Sequence, residues 1–111
     1  MKQLLFMQYI KMYEDVIYYD LMNIYKKYLS KYFLLESHNI ISMCKMLKIE
    51  NNFINWEEYD YDYAEKGYQV ITRSLHIRDF IIYYKILNSF DTFDEMKKEY
   101  NILLSVNKYN L

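Results

Sequence analysis

The chain has 111 residues, a formal net charge of -1, 53% hydrophobic residues and 26% charged residues. A chain of this length normally forms one domain around one core, and this composition is far from the low-hydrophobicity pattern of disordered proteins. The near-neutral charge gives no reason for a general attraction to nucleic acid or to an anionic membrane. We therefore expect residues 1–111 to form a single domain. We expect no binding to membranes, and a nucleic acid is not the predicted partner.

Glycine and proline are nearly absent, since the chain has one Gly and no Pro. Tight hairpins and phosphate-binding loops rely on these residues, so their absence disfavours β-rich and nucleotide-binding folds. We predict an all-α fold, a small compact bundle of about four to five helices. The alternative is an α+β fold with a short strand pair within residues 57–87.

The 15 tyrosines, together with many Ile, Lys, Asn and Met, are typical of an AT-rich genome. Bacteriophages, viruses, low-GC bacteria and some organelles have such genomes, and a phage or viral origin is one of these alternatives. The single cysteine, Cys44, cannot form an internal disulfide and suits a reducing compartment. No signal peptide is recognisable, and no charge-free run is long enough to span a membrane. The expected location is the cytoplasm, which for a viral protein is that of the host cell.

The first 35 residues show the strongest periodicity in the chain. Apolar residues recur at alternating steps of three and four from Phe6 to Leu35, which predicts one face of a long helix or of two consecutive helices. Such a face is longer than one small domain can cover. It predicts a possible homodimer through the helix of residues 6–35.

The middle of the chain gives weaker signals. A second helix is predicted to begin at Ser37 or Asn39 and to end near Ile49, with Glu50 to Asn52 as a loop. Asn55 is followed at the third position by Glu58, which is a helix-capping pattern. Residues 59–63 alternate as a strand does, but the spacing of residues 61–75 is helical, and we favour a helix.

The last part of the chain is predicted to contain two helices. Residues 77–87 form an apolar run that is either a helix or a buried strand, and its length favours a helix. Residues 88–91 are a predicted turn, and Thr92 with Glu95 forms a capping box for a final helix ending near Val106. The predicted buried face of this helix is Phe93, Met96, Tyr100, Leu103 and Leu104.

The most distinctive local feature is an acidic, aromatic stretch between residues 50 and 65 that contains no basic residue. Carboxylates and rigid aromatic side chains are suited to contact with a basic protein surface. The alternative is a solvated helix start whose aromatic residues pack inward. We predict that the partner-binding residues are Trp56, Glu57, Glu58, Tyr59, Asp60, Tyr61, Asp62 and Tyr63.

Other polar groups predict no chemistry. On a helix, Arg73, His76, Asp79 and Tyr83 would form one stripe, which we interpret as an exposed face. Two histidines and one cysteine are too few for a Cys/His zinc site. We predict no catalytic residue, no metal and no cofactor.

These observations predict a non-enzymatic protein–protein interaction module, an inhibitor or adaptor that docks on a larger partner, such as a nucleic-acid-handling protein, through the acidic Tyr-rich surface. The alternative is a small helical structural subunit of a homo-oligomer or of a ribonucleoprotein assembly.

Overall fold

The computed structural model describes the backbone of residues 17–109 and the side chains of residues 17–106. Residues 17–25 are helical and are named α1 here. The elements that follow are a 3-10 turn (Lys26–Tyr28), β1 (Tyr32–Ser37), β2 (Ile40–Glu50), β3 (Phe53–Asp62), β4 (Gly67–His76), α2 (Ile77–Tyr83), β5 (Lys85–Phe90) and α3 (Phe93–Tyr109).

The five strands form one antiparallel sheet in the order β4-β3-β2-β1-β5. The chain leaves β4 at one edge of the sheet and crosses to β5 at the other edge through α2. Because α2 and α1 pack on the same side of the sheet, we name this side the α2 face. The opposite side, which α3 covers, is the α3 face.

The α2 face carries the larger core. Phe33, Cys44 and Trp56 extend from three neighbouring strands and pack against Ile77 and Phe80 of α2. The α3 face carries a smaller core. It joins Leu34, Met43 and Met96, which are all buried, to partly buried aromatic side chains around them.

The prediction of an all-α bundle is wrong, and the α+β alternative is closer. The strands of the two tight hairpins are joined at His38–Asn39 and at Asn51–Asn52, and all four residues have positive φ between 52° and 65°. Such turns usually contain Gly, but Asn and His also adopt this conformation more readily than other residues do. The scarcity of glycine therefore does not exclude hairpins in this chain.

The predicted helix of residues 6–35 is wrong over its last part. Helical structure ends at Tyr28, and residues 32–35 belong to β1. Residues 1–16 lie outside the described residues. Within α1 the side chains that face the sheet are Tyr18, Leu21, Met22 and Tyr25, whereas Ile17 and Ile24 of the predicted face are exposed.

The predicted helix from residue 37 or 39 to residue 49 is also wrong, because these residues form most of β2. Both faces of the sheet are covered, so β2 buries Met43 on one face and Cys44 with Met46 on the other. A strand buried on both sides loses the clean alternation that identifies a half-buried strand. The helix favoured over residues 61–75 is wrong as well, because these residues form the end of β3, the loop that follows it and most of β4.

The final helix is confirmed. Thr92 Oγ1 accepts a hydrogen bond from the Glu95 backbone N–H at 3.2 Å and donates one to Glu95 Oε1 at 2.9 Å. Thr92 is therefore the helix cap, as predicted, and the Glu95 carboxylate bonds to its hydroxyl rather than to its backbone N–H, which a full capping box would use. Met96 is fully buried and Leu104 is exposed. The run of residues 77–87 divides into α2 and the start of β5, and the turn predicted at residues 88–91 is mostly strand.

Within residues 17–109, none of the helices combines the length and the apolar character that crossing a bilayer requires.

Candidate protein-binding surface

The predicted partner-binding residues all lie on or directly after β3, and the strand divides them between the two faces of the sheet. Trp56 and Glu58 are on the α2 face, and Glu57, Tyr59 and Tyr61 are on the α3 face. The eight residues therefore do not form one continuous surface.

Trp56 and Glu58, two of these residues, are buried. Trp56 is fully buried and packs edge-on against Phe80 and Tyr84 of the α2 region, with ring centroids 5.3 and 5.6 Å apart. Its Nε1 donates a hydrogen bond of 3.2 Å to Glu58 Oε1. Glu58, only 8% exposed, also accepts a hydrogen bond of 3.3 Å from Arg73 Nε of β4.

Glu57 and Tyr59 are half-buried beside α3. The Tyr59 hydroxyl donates a hydrogen bond of 3.0 Å to Glu57 Oε2, and the Tyr59 ring packs edge-on against Phe93 at 5.3 Å. Burial and then this hydrogen bond to a carboxylate raise the pKa of the Tyr59 hydroxyl above its ordinary value. These two residues therefore join β3 to α3 and offer little surface to a partner.

The exposed part of the predicted surface lies at the end of the β3–β4 hairpin. We name it the hairpin tip surface, and its members are Asp60, Tyr61, Asp62, Tyr63 and Glu65. Tyr63 is 85% exposed and Tyr61 is 44% exposed. Their rings meet edge-on with centroids 4.8 Å apart, so the exposed Tyr63 ring has an aromatic support.

The loop of the hairpin is fixed by Asp62. Its Oδ1 accepts hydrogen bonds from the backbone N–H groups of Ala64, at 2.9 Å, and Glu65, at 3.3 Å. Asp commonly closes turns in this way. Lys66 then adopts a φ of 53°, and the chain returns into β4.

The hairpin tip surface is connected to α3 through a chain of aromatic rings. Tyr61 packs against Tyr68 at 5.3 Å, and Tyr68 packs against Phe93 at 5.3 Å. Burial, followed by the nearby Asp60 and then Tyr63, raises the pKa of Tyr100 in α3. The tip is therefore an extension of the α3 core, held in place by packed rings.

The predicted polar stripe of Arg73, His76, Asp79 and Tyr83 is divided by the end of β4. Arg73 turns to Glu58, and His76 Nδ1 accepts a hydrogen bond of 3.1 Å from the Arg78 backbone N–H at the start of α2. His76 thus caps a helix. Among the residues that the structure describes, no group of three His, Cys, Asp or Glu side chains converges as a metal site would require.

Sequence reasoning did not find the pairing of Glu58 with Arg73 because the two residues are 15 positions apart and meet only through the β3–β4 register. Comparisons with protein-family models, with curated protein sequences and with solved structures give no significant match.

Proposed function

We propose that the protein is a non-enzymatic binding domain that docks on a larger partner through the hairpin tip surface. The observation that carries this proposal is the exposure of Tyr63, which is 85% exposed although its ring is supported by Tyr61. Tyrosines are enriched among the residues that dominate binding energy at protein interfaces. A supported ring also loses less conformational freedom on binding than a free one does.

The charge of the surface indicates the kind of partner. The hairpin segment that holds the two tyrosines also carries three carboxylates, Asp60, Asp62 and Glu65, and Lys66 is the one cation in the hairpin loop. A basic protein surface is complementary to this arrangement and would be attracted at low ionic strength. An inhibitor or adaptor of a nucleic-acid-handling protein, whose functional surface is basic, fits this requirement.

The proposal is tested by placing a photo-crosslinking amino acid at residue 63 and, as a control, at Ile82, an exposed residue of α2. In the cells that express the protein, we expect residue 63 to capture one dominant partner with a basic surface, while residue 82 does not. Substitution of Asp60 and Glu65 by Lys, which keeps the loop-closing Asp62, should abolish the capture. Equal capture from both positions, or capture that survives the charge reversal, would refute the proposal.

A matched pair of variants separates binding from folding. Tyr63→Ser should leave the free energy of unfolding nearly unchanged but reduce partner binding at least about tenfold, as expected for a central interface tyrosine. Tyr19→Ser, at another well-exposed tyrosine in α1, should change neither quantity. Equal binding by the two variants would contradict the assignment of the surface.

Self-association is a second candidate, and one observation favours it. β4 is a ten-residue strand at one edge of the sheet and contains no proline. Arg73 is its one Lys, Arg, Asp or Glu residue, and Val70 in the middle of the strand is 53% exposed. Long edge strands that carry few charges and no proline pair readily with other strands. The other edge, β5, has six residues and a register irregularity opposite Leu34 and Leu35.

Antiparallel pairing of β4 with β4 of a second copy would give a symmetric dimer. Sedimentation analysis of the wild-type protein and of Val70→Lys distinguishes the cases. A dimer that the substitution converts to a monomer supports self-association, and a wild-type monomer at all accessible concentrations excludes it.

A further inference from the structure

A cavity of about 250 Å³ opens on the α2 face, beside the end of α2. Leu35, Ile40 and Tyr84 form its apolar walls. Its polar groups come from Ser37, His38, Ser42, Glu58 and Arg73. α2 crosses the sheet diagonally, from the end of β4 to the start of β5, and leaves this corner of the α2 face uncovered. The cavity is separate from the hairpin tip surface, and an inference about it goes beyond the proposed function.

The cavity contains a charge pair whose hydrogen-bonding capacity is only partly used. Glu58 accepts one hydrogen bond at each oxygen, from Trp56 Nε1 and from Arg73 Nε. A carboxylate has about four acceptor positions, so each oxygen can accept a further bond. Within the described part of the chain, Arg73 makes hydrogen bonds and ion pairs through Nε alone, which leaves both terminal nitrogens available to a ligand.

Glu58 is held in a fixed position. Its side chain is buried, and Trp56, which donates to it, is itself fully buried between α2 and the sheet. Arg73 is about half exposed at the opening of the cavity. A ligand in the cavity would therefore find the Glu58 carboxylate as a fixed acceptor at the floor and the Arg73 guanidinium as a donor at the opening. This arrangement is present before the ligand binds.

We propose that this cavity binds a small zwitterion with an apolar side chain, an α-amino acid of about the size of leucine. Its carboxylate would accept two parallel hydrogen bonds from the terminal nitrogens of Arg73, the geometry in which guanidinium binds carboxylates most strongly. Its ammonium group would donate to the unused acceptor positions of Glu58 and to Ser42 Oγ. Its side chain would contact Leu35, Ile40 and Tyr84.

The size and charge of the cavity select this class of ligand. The volume lies below the roughly 300–1,000 Å³ of pockets that hold drug-sized molecules, so the ligand is small. Glu58 and Arg73 pair with each other and their charges cancel, so a ligand with only one charge would bring an unbalanced charge into the cavity. A zwitterion matches both charges at once.

The proposal is tested by titrating the isotope-labelled full chain with L-leucine, with 3-methylbutylamine, which lacks the carboxylate, and with 4-methylpentanoate, which lacks the amine. Chemical-shift changes are followed at Ser42, Arg73 and Tyr84. We expect leucine to bind at least about tenfold more tightly than either analogue, the difference that a lost charge-assisted hydrogen bond produces. If 4-methylpentanoate binds as tightly as leucine, the cavity is a simple anion site. If leucine does not bind, the cavity is not an amino-acid site; either result overturns the proposal.

Two substitutions assign the binding to these residues. Arg73→Lys keeps the charge but removes the planar fork, and it should weaken leucine binding at least about tenfold. Arg78→Lys is the matched control, because Arg78 is an exposed arginine of α2 outside the cavity, and it should change nothing. Because neither substitution removes a buried group, both variants should fold. Unchanged leucine affinity in Arg73→Lys would refute the proposal.

Discussion

The indole Nε1 of Trp56 donates a hydrogen bond to Glu58 Oε1, so the one tryptophan of the chain and a nearly buried carboxylate form a single unit on β3. The two residues are two positions apart and extend from the same face of the strand. Arg73 of the neighbouring strand completes the unit at the second carboxylate oxygen. A buried donor needs a partner, because leaving it unpaired costs more than the hydrogen bond contributes.

Substitution of Glu58 by Ala should therefore destabilise the fold by about 1–3 kcal/mol, the cost of an unpaired buried polar group. The measurement is the urea midpoint, followed through Trp56 fluorescence and, separately, through circular dichroism. Glu65→Ala, at an exposed loop carboxylate, is the control and should change the free energy of unfolding by less than about 0.5 kcal/mol. Equal midpoints for the two variants would show that the Trp56 hydrogen bond contributes nothing.

The turn at His38–Asn39 should tolerate glycine and resist branched residues. Asn39 has a φ of 65°, which costs most L residues roughly 1–2 kcal/mol. We expect Asn39→Gly to be neutral or stabilising and Asn39→Val to lose about 1–2 kcal/mol. Asn101→Val, at an exposed position of α3, controls for the side-chain change. A loss in the glycine variant as large as that in the valine variant would contradict a left-handed turn.

These turns explain why the sequence predicted the wrong fold class. The low glycine content disfavours hairpins, whereas Asn and His provide the positive φ in both two-residue turns. Apolar residues on both faces of β2 then gave spacings that also suit a helix. The alternation of residues 59–63 was a correct strand signal, and Thr92 with Glu95 correctly marked the start of α3.

The candidate surface was predictable in part. Asp60 to Tyr63 lie at the end of a hairpin, where Tyr61 and Tyr63 are exposed, and their role as contact residues stays a prediction. Trp56 and Glu58 are buried rather than exposed, because alternate residues of β3 lie on the face of the sheet that α2 covers. The cavity was beyond sequence reasoning, since its residues come from four different strands and the segment after α2 and meet only in the folded sheet.

The Thr92 cap at the start of α3 should contribute measurably to the free energy of unfolding. Thr92→Ala removes the acceptor of the Glu95 backbone N–H, and N-cap losses of this kind cost about 0.5–2 kcal/mol. Ser105→Ala is the control, because that hydroxyl bonds to the Asn101 carbonyl within the helix, where it competes with the backbone. Denaturant titrations should show a clear loss for the first variant and none for the second. Equal effects would refute the cap.

Cys44 should react with thiol reagents only after unfolding. It is fully buried between β1 and β3, and burial, followed by the negative charges of Glu58 and Asp60, raises the pKa of its thiol. The thiolate is the reactive form, so both access and ionisation oppose labelling. Addition of urea should raise the labelling rate in parallel with the fraction unfolded. Rapid labelling of the native protein would contradict the packing described for β2.

The fold should lose stability in alkaline solution, and Tyr59 should account for a measurable part of the loss. Its ordinary pKa is 10.0, and burial and the bond to Glu57 raise it in the folded state. Above about pH 10 the unfolded chain releases this proton while the folded chain retains it, so the free energy of unfolding falls as pH rises. Tyr59→Phe has no hydroxyl proton to release at this position, so its urea midpoint should fall less than that of the wild type between about pH 9 and about pH 11. This range brackets the pKa of a free tyrosine, which is about 10. Tyr63→Phe, whose hydroxyl is at the exposed tip, should follow the wild-type curve. Parallel curves for wild type and Tyr59→Phe would show that Tyr59 ionises equally in both states.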